Sequence, residues 1–459
     1  MIVRRPWQHW LLLAVSTGGL AAFLAMAQVV LASYGWRLDL TPERSYTLSP
    51  HARQVLAGLS RDVVITAFVR SGDDRNHQIE DLMRRVAAVS PHVRTNLIDI
   101  NRNPAVARQY GVGSYAGFVV ECGTRRRQFE NPSEPLLVAA ILQVTRDSRR
   151  VVYFLGGHGE RDIYSTDRQQ GYSLISLALT QELYDVRVLD LLHQAEVPRD
   201  ADVVVIAGAR RDPLPLEIEQ LAAFAHRGGA LLVLLEPRGA TALIDFLARY
   251  GVRTDDTMVV DSENRLFAGD YVTLSVPVLS PRHPISAALQ APPLFSGACP
   301  VEFAASPRGG VRGLEILSTA ASSWRTRDFD ALRSGEAAFV SGRDVRGSQS
   351  VGVSLLVGPP HTDGDAVARF VVLGDSDFAT NFFVDSLGNK DLLVDSVNWL
   401  AGEDALLGAR AQARIPGVNQ FFLTDEQGRE AFLLGTVIEP GAVLLVGMVV
   451  VMRRRWRSV

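Results

Sequence analysis

Two long apolar stretches, one near each end, constrain this chain more than any other feature of its sequence. Residues 11–33 carry no charge and follow a pair of arginines, whereas residues 431–452 carry one charge, Glu439, and precede a run of arginines. A helix needs roughly 20 apolar residues to cross a bilayer, and both stretches reach that length. The sequence therefore predicts two transmembrane helices that flank the rest of the chain.

The positions of arginine predict how such a chain would be oriented. Arg4 and Arg5 precede the first stretch, and four arginines lie within residues 453–457, after the second. Basic residues favour the cytoplasmic side of a membrane span. We therefore expect both termini in the cytoplasm, contact with lipid, and a main body in the periplasm at the bacterial inner membrane.

Each stretch also has a second interpretation. A basic start, an apolar core and Ala25-Met26-Ala27 are typical of a cleaved signal peptide, although the apolar run continues to Ala32 and favours an uncleaved anchor. In the second stretch, Glu439 either contacts a partner inside the membrane or lies among the lipid headgroups, with the helix beginning near Pro440. Both interpretations of Glu439 stay open.

Composition excludes several classes of protein. The net charge of −3 gives no electrostatic reason to expect nucleic-acid binding. A P-loop requires Lys before Ser or Thr, but the only lysine, Lys390, precedes Asp391, so the chain is not a P-loop ATPase. Cys122 and Cys299 match no metal or redox spacing, and a disulfide between them stays open.

Alternating apolar segments predict an α/β protein with two domains. Residues 37–149 read β-α-β-α-β-β-α, which resembles the thioredoxin fold, but Ser71-Gly72-Asp73-Asp74 stands where that family has its CxxC motif. Residues 150–405 alternate strands and helices and predict a Rossmann-like, doubly wound domain with a β-rich insertion at about 255–350. The remaining predicted segments are an anchor at 1–36, a linker at 406–429, and a transmembrane helix with a basic tail at 430–459.

Polar residues follow two of the predicted parallel strands, at the edge where such sheets bind ligands. The candidate residues for binding a ligand or a partner are His158, Glu160, Asp162, Asp375, Asp377 and Asn398. Asp and Asn also hold turns through backbone hydrogen bonds, and a lone His with two Asp does not define a reaction. The sequence therefore predicts neither catalytic residues nor a metal site nor a cofactor.

Several blocks of sequence together resemble the GldG-type auxiliary proteins of ABC transport systems. They are residues 39–49 (DLTPERSYTLS), 153–160 (YFLGGHGE), 372–378 (VLGDSDF) and 389–403 (NKDLLVDSVNWLAGE). The resemblance implies a non-catalytic subunit that works beside an ABC permease and a separate P-loop ATPase, with a large periplasmic body. It does not imply a particular substrate.

Three hypotheses follow for the function of the body. The first is that it binds cargo or partner proteins for a transport system. The second is a membrane-anchored hydrolase or carbohydrate-active enzyme that uses His158, Glu160, Asp375 and Asp377, which requires His158 and the two Asp side chains to converge in one crevice. The third is a scaffold that binds other proteins through residues 255–350.

Overall fold

The computed structural model describes Gly19, Met26 and residues 48–73, 76–112, 117–130, 133–146, 148–263, 271–304, 310–358 and 367–407. Across these residues, no helix is both long enough and apolar enough to cross a bilayer. The longest of the described helices has 14 residues, and at about 1.5 Å per residue it falls short of the roughly 30 Å hydrocarbon core.

The prediction of a fold flanked by two transmembrane helices is therefore wrong for the described chain, which is a mixed α/β structure. The error came from hydropathy alone, because the two apolar stretches gave the only signal for spans. Apart from Gly19 and Met26, both stretches lie outside the described residues, as do Glu439 and residues 408–429 of the linker that was predicted at 406–429.

The helices, numbered in chain order, are α1 Pro50–Ala57, α2 Asn76–Val89, α3 Pro104–Gln109, α4 Glu134–Thr145, α5 Ser173–Gln181, α6 Pro215–His226, α7 Thr241–Ala248, α8 Pro284–Ala288, α9 Phe329–Ser334 and α10 Asn389–Leu400. The strands of the first part of the chain are β1 Val63–Val69, β2 Val93–Asp99, β3 Gly117–Cys122, β4 Arg125–Phe129, β5 Arg150–Leu155, β6 Tyr184–Leu189, β7 Ala201–Ala207, β8 Ala230–Leu234 and β9 Val252–Arg253. The later strands are β10 Met258–Val260, β11 Thr273–Ser275, β12 Val278–Leu279, β13 Leu294–Ser296, β14 Glu302–Phe303, β15 Val311–Ser318, β16 Trp324–Thr326, β17 Val345–Arg346, β18 Ser350–Val357 and β19 Ala368–Leu373. Two 3₁₀ turns span Asp377–Ala379 and Asp404–Leu406.

A four-stranded sheet in the order β2-β1-β3-β4 organises the first part of the body. Strand β1 pairs in parallel with β2 and antiparallel with β3. The Ser49 hydroxyl accepts a hydrogen bond from Ala52 N at 3.1 Å and so caps α1. The predicted β-α-β-α-β-β-α order is present here, but the thioredoxin-like assignment is not confirmed and the domain boundaries stay predictions.

An eight-stranded sheet in the order β12-β15-β18-β19-β8-β7-β5-β6 organises the larger part. The five strands from β19 to β6 pair in parallel, whereas β18 and β15 add antiparallel strands. Every residue of β8 is buried, as expected for a parallel strand that is covered on both faces. Leu232 packs in the core beneath α5 and α10, and Leu231 packs in the core beneath α6 and α7.

The β-rich region predicted at 255–350 forms three small sheets, β10-β16-β17, β11-β13 and β14-β9, and also contributes β12 and β15 to the large sheet. Because β15 pairs with β18 along most of its length, this region is continuous with the main core.

Ion pairs with little exposure join the two parts of the body. Arg127 Nη2 lies 2.8 Å from Glu182 Oε1, and both side chains are about one-tenth exposed. Arg146 Nε lies 3.0 Å from Glu403 Oε1, beside the start of the large sheet. The two parts therefore share a polar, largely buried contact.

Candidate functional site

The carboxyl ends of the five parallel strands lie at one edge of the large sheet, which is where open α/β sheets hold their ligands. The polar loops after β5, β8 and β19 meet there. We call this edge, with the loops that follow β5, β6, β7, β8 and β19, the carboxyl edge.

His158 lies in the glycine-rich loop after β5 and is buried. Its Nδ1 is 3.1 Å from Glu160 Oε1 and its Nε2 is 2.9 Å from Glu217 Oε2. The backbone N–H of His158 also donates to Glu160 at 2.7 Å. Because a carboxylate only accepts hydrogen bonds, the ring makes both contacts at once when each nitrogen carries a proton.

Glu217 explains why His158 is held in this place. It occupies the first turn of α6, where its carboxylate accepts a hydrogen bond from Leu214 N at 2.7 Å. An acidic residue is favourable at the amino end of a helix. The contact with His158 therefore fastens the loop after β5 to the start of α6, and both ring nitrogens have protein partners.

Asp375 lies directly after β19 and is fully buried. Its Oδ1 accepts a hydrogen bond from Asp377 N, and its Oδ2 accepts one from Ser296 N, both at 2.6 Å. The first bond closes the loop of Asp375 itself, and the second fastens that loop to β13 in the insertion. This is the role that Asp commonly has in turns.

Glu236, which follows β8, joins Asp375 and Asp377 in a cluster we call the acidic cluster. One carboxylate oxygen from each residue lies within 4.8 Å of the others. Arg161 donates to Asp377, and its Nη2 lies 3.7 Å from Glu236 Oε1. Its Nε also donates to Ser376 Oγ at 3.2 Å.

The acidic cluster is electrostatically strained, because three carboxyls surround one guanidinium. Burial and then the charge of Asp377 raise the pKa of Glu236 to about 7. Burial and then the charge of Glu236 raise the pKa of Asp375 well above its ordinary value, and burial also raises the pKa of Asp377. The close carboxyls titrate as a group and retain a proton near neutral pH.

The spacing of the three carboxylates would also suit a hard cation such as Mg²⁺ or Ca²⁺. However, Arg161 already lies against two of them, and its side chain is only 6% exposed. The described residues therefore fit a guanidinium in this position better than a metal ion.

The predicted residues form two networks rather than one. His158 and Glu160 lie together, and Asp375 and Asp377 lie together, but each network has its own partners. Asp162 is exposed and accepts a hydrogen bond from Tyr164 N at 2.8 Å.

Two further candidates lie elsewhere. Asn398 is buried near the end of α10, where its Oδ1 accepts a hydrogen bond from the Tyr184 hydroxyl at 2.8 Å, at the start of β6 and so at the opposite edge. Glu439 lies outside the described residues.

Sequence reasoning missed Glu236, Arg161 and Glu217. Glu236 follows the continuous apolar run Ala230–Leu235, which is typical of a buried parallel strand, so its position at a strand end was an available signal. Arg161 stands in the loop that was singled out, although no role was assigned to it. Glu217 gave no signal, since an acidic residue in the first turn of a helix is common.

The cysteines also have a definite state in the structure. Cys122 and Cys299 are both free thiols. Burial raises the pKa of Cys299 to about 12, so this thiol is unreactive near neutral pH. The disulfide that the sequence left open is not formed.

Comparison with known families gives two matches. The model of a family described as "ABC-type uncharacterized transport system" matches residues 149–396. A domain of unknown function (DUF7088) matches residues 42–131. The comparison with curated proteins found no match.

Among solved structures, the chain is similar to the N-terminal domain of mmIFT52, with 16% identity and a TM-score of 0.38 over 55% of this chain and 97% of that one. A ThuA-like protein from Bacteroides uniformis has 12% identity and a TM-score of 0.33 over 56% of this chain and 93% of that one. A domain of the alkylhydroperoxide reductase AhpF from Enterococcus faecalis has 18% identity and a TM-score of 0.18 over 20% of this chain and 44% of that one.

Proposed function

The chain belongs to the family of auxiliary components described as ABC-type uncharacterized transport system, and from that premise we propose that it is a non-catalytic subunit whose body binds cargo or partner proteins. The observation that carries the proposal is the family match over residues 149–396, which include the whole parallel sheet and the acidic cluster.

The partners in this proposal are an ABC permease and a separate P-loop ATPase. A transport system of this class consumes ATP, and the chain has no P-loop, because Lys390 is followed by Asp391. The energy must therefore come from another subunit. We also propose that the body works on the periplasmic side of the bacterial inner membrane, with family membership as the support.

The competing hydrolase hypothesis gains no support from the geometry. It requires His158, Asp375 and Asp377 to converge on one open crevice. Instead, His158 contacts Glu160 and Glu217, while Asp375 accepts hydrogen bonds from backbone N–H groups. A general base must lie within hydrogen-bond reach of the proton that it removes. In this structure, His158 and Asp375 are already hydrogen-bonded to other groups of the same chain.

Co-purification tests the proposed partners. The tagged full chain is produced in its native host, extracted in mild detergent and isolated by its tag, and the proteins that accompany it are identified by mass spectrometry. We expect all three proteins in one complex of fixed stoichiometry, and no recovery of the other two with an unrelated tagged membrane-associated protein. Recovery of the chain alone, while the permease and the ATPase still purify with each other, would overturn the proposal.

Protease accessibility tests the location. We expect the body to be digested when protease is added to spheroplasts, which have lost the outer membrane but keep an intact inner membrane. A cytoplasmic control protein should survive until the spheroplasts are lysed. Protection of the body together with that control would contradict a periplasmic location.

A further inference from the structure

We propose that the outer edge of strand β6 is a docking surface for a second copy of the chain, so that two large sheets join through antiparallel pairing of their β6 strands. This inference goes beyond the proposed function, because it concerns self-association and not the transport partners. It rests on an unpaired strand edge, on exposed apolar side chains beside that edge, and on a charge pattern that is complementary to itself.

Strand β6 forms one edge of the large sheet. It pairs with β5 on its inner side, and no strand of the described residues pairs with its outer side. Such an edge presents free N–H and C=O groups, which are a template for a strand from another chain. At the opposite edge of the sheet, β12 has two residues, whereas β6 has six. Of these two edges, β6 therefore offers the longer template.

The backbone of β6 shows which of its groups point outward. Gly156 N donates to Leu189 O at 3.0 Å, so the C=O of Leu189 points inward, towards β5. Backbone groups of successive residues alternate between the two sides of a strand. Val186 therefore directs its N–H and C=O outward, and Val188 does the same. Antiparallel pairing centred on Val186 lets the Val186 residues of two copies exchange two hydrogen bonds.

The charges beside Val186 select this register. Asp185 and Arg187 flank Val186, and their side chains are 35% and 43% exposed. With the two-fold axis at Val186, Asp185 of each copy lies opposite Arg187 of the other copy. An axis at Asp185 would place two aspartates opposite each other, and an axis at Arg187 would place two arginines there. Opposite charges stabilise cross-strand pairs and like charges destabilise them.

Three other carboxylates flank β6, and each already has a partner within the chain. Asp200, just before β7, contacts Arg187 Nη1 at 2.8 Å from the inner side, because β5 separates β7 from β6. Beyond the end of the strand, Asp190 lies 2.7 Å from His193 Nδ1. Before its start, Glu182 is paired with Arg127. The outer edge itself thus carries one cation and one anion in each copy.

Helix α5 supplies apolar surface beside this edge. It packs against β6, and its side chains Leu174 and Leu177 remain exposed, Leu177 by 52%. Val188 is 40% exposed, and side-chain alternation places it on the same face as Val186, which packs against the core beneath α5. A continuous group of exposed apolar residues marks an interaction site.

The position of α5 brings its apolar residues to the two-fold axis. The helix returns from the end of β5 to the start of β6, so its central residue, Leu177, lies beside the middle of β6. Pairing centred on Val186 therefore places Leu177 of one copy next to Leu177 of the other.

An identical chain fits this edge better than an unrelated strand. A two-fold dimer uses the same patch on both subunits, so the patch must complement itself. The sequence Asp185-Val186-Arg187 does so, because the axis at Val186 repeats the Asp–Arg pair on both sides.

Sedimentation of the purified full chain in detergent tests this surface. We expect the wild type to dimerise as its concentration rises. Asp185→Arg and Arg187→Asp each turn both cross-strand pairs into like-charge pairs. Each should raise the dissociation constant of the dimer about tenfold or more, because symmetry repeats every unfavourable pair. An equimolar mixture of the two variants should dimerise again, because each substituted side chain then faces the opposite charge.

Two further variants test the backbone and the helix. Val186→Pro removes the outward N–H and leaves the hydrogen bonds to β5 in place, which is where an edge strand tolerates proline. Leu177→Asp places a charge in the apolar contact of α5. Both should weaken the dimer. The matched controls are Asp256→Arg and Arg327→Asp, at an exposed ion pair of the insertion, and they should keep the wild-type dissociation constant.

Each outcome decides for or against the surface. A wild-type chain that stays monomeric at the highest concentration reached would overturn it, as would dimers that the β6 variants leave intact. Single-charge variants that stay monomeric when mixed would overturn the pairing of Asp185 with Arg187. Melting temperatures check the folding of every variant, and Leu177→Asp, at an exposed position, keeps the test decisive if the loss of the ion pair within β6 lowers stability.

Discussion

Arg161 donates from its guanidinium to the carboxylate of Asp377, although 216 residues separate the two in the chain. Arg161 lies in the loop after β5 and Asp377 in the loop after β19, with β7 and β8 between them in the sheet. The same guanidinium lies 3.7 Å from Glu236 after β8. One cation therefore holds together three loops of the carboxyl edge.

Replacement of this cation should destabilise the fold. We expect Arg161→Met to lower the free energy of unfolding by about 3 kcal/mol, because it leaves three close carboxyls without their counter-charge. Because Asp377 is about one-third exposed, we expect a loss near the lower end of the range for breaking a buried ion pair. Urea unfolding followed by tryptophan fluorescence measures it.

The control for this experiment is Arg211→Met, at an exposed arginine in the loop after β7. Exposed positions without special partners change stability by about 0.5 kcal/mol or less. Equal losses in the two variants would contradict a central role for Arg161.

The acidic cluster should make the fold less stable as the pH rises from about 4.5 through about 7. Its carboxyls hold protons more tightly in the folded chain than in the unfolded one, so their contribution is fully present below about pH 4.5 and is lost as the pH rises through the pKa of Glu236, about 7. Burial lowers the pKa of His283 to about 4, so its contribution changes only below its unfolded value of 6.5. The window from pH 6.5 to 8 therefore isolates the acidic cluster from His283.

Glu236→Gln tests that pH dependence. Its side-chain oxygen can still accept the hydrogen bonds that Ser376 gives to Glu236, but the residue no longer titrates. We expect the melting temperature of the wild type to fall between pH 6.5 and 8, and that of the variant to fall much less. Asp330→Asn, at a side chain that is 91% exposed, should keep the wild-type slope. A wild-type melting temperature that stays constant across the window would contradict the prediction.

The sequence predicted the local elements well, because their signals are local. Val151 to Leu155 is a continuous apolar run, and β5 occupies Arg150–Leu155. Ser before Pro is a typical helix start, and α1 begins at Pro50 with Ser49 as its cap. The segment Lys390–Leu400 precedes a glycine at 402, a typical helix stop, and α10 occupies Asn389–Leu400.

The contacts between distant elements were not predictable in the same way. Glu236 and Asp375 meet because β8 lies beside β19, and the periodicity of a sequence does not give the order of its strands. His158 contacts Glu217, which is 59 residues further along the chain, so the structure has two networks in place of the single crevice that the hydrolase hypothesis required. Hydropathy gave the prediction of two transmembrane helices, which the described chain does not contain.

His158 should contribute to the stability of the fold rather than to a catalysed reaction. Glu160 and Glu217 are about 1% and 2% exposed, so His158→Ala removes the shared donor from two buried carboxylates. We expect a loss of about 3 kcal/mol or more in the free energy of unfolding. Chemical denaturation measures it.

The companion variant for His158 is the double substitution His158→Ala with Glu217→Gln. Removal of one of the two carboxylate charges should recover part of the lost stability, because substitutions within one network are not additive. Additive losses would show that His158 and Glu217 do not interact.

Gly208 should not tolerate a side chain. It has a φ of +69°, and an added Cβ would overlap the hydroxyl of Ser376. Gly342 also has a positive φ, of +85°, but its added Cβ would have no neighbour within 4 Å. We expect Gly342→Ala to cost about 1–2 kcal/mol from backbone strain alone. Gly208→Ala should cost clearly more, as measured by urea unfolding, and equal costs would exclude a steric contribution from Ser376.

The ion pair between Arg127 and Glu182 should couple the two parts of the body. The pair joins β4 to the end of α5, and both side chains are largely buried. Partners in contact show interaction energies of about 0.5–3 kcal/mol in double-mutant cycles, and burial places this pair in the upper half of that range.

The cycle uses Arg127→Ala, Glu182→Ala and their combination. Each single variant leaves one poorly solvated charge without its partner. Each should therefore lower the free energy of unfolding by more than half of the amount by which the double variant lowers it. Hydrogen exchange at β4 and α5 provides the second measurement, and both elements should exchange faster in each single variant. The exposed pair Arg327 and Asp256, with side chains 64% and 54% exposed, supplies the control cycle, for which we expect a coupling of about 0.2–1 kcal/mol. A coupling between Arg127 and Glu182 no larger than that of the control would show that this contact does not hold the two parts together.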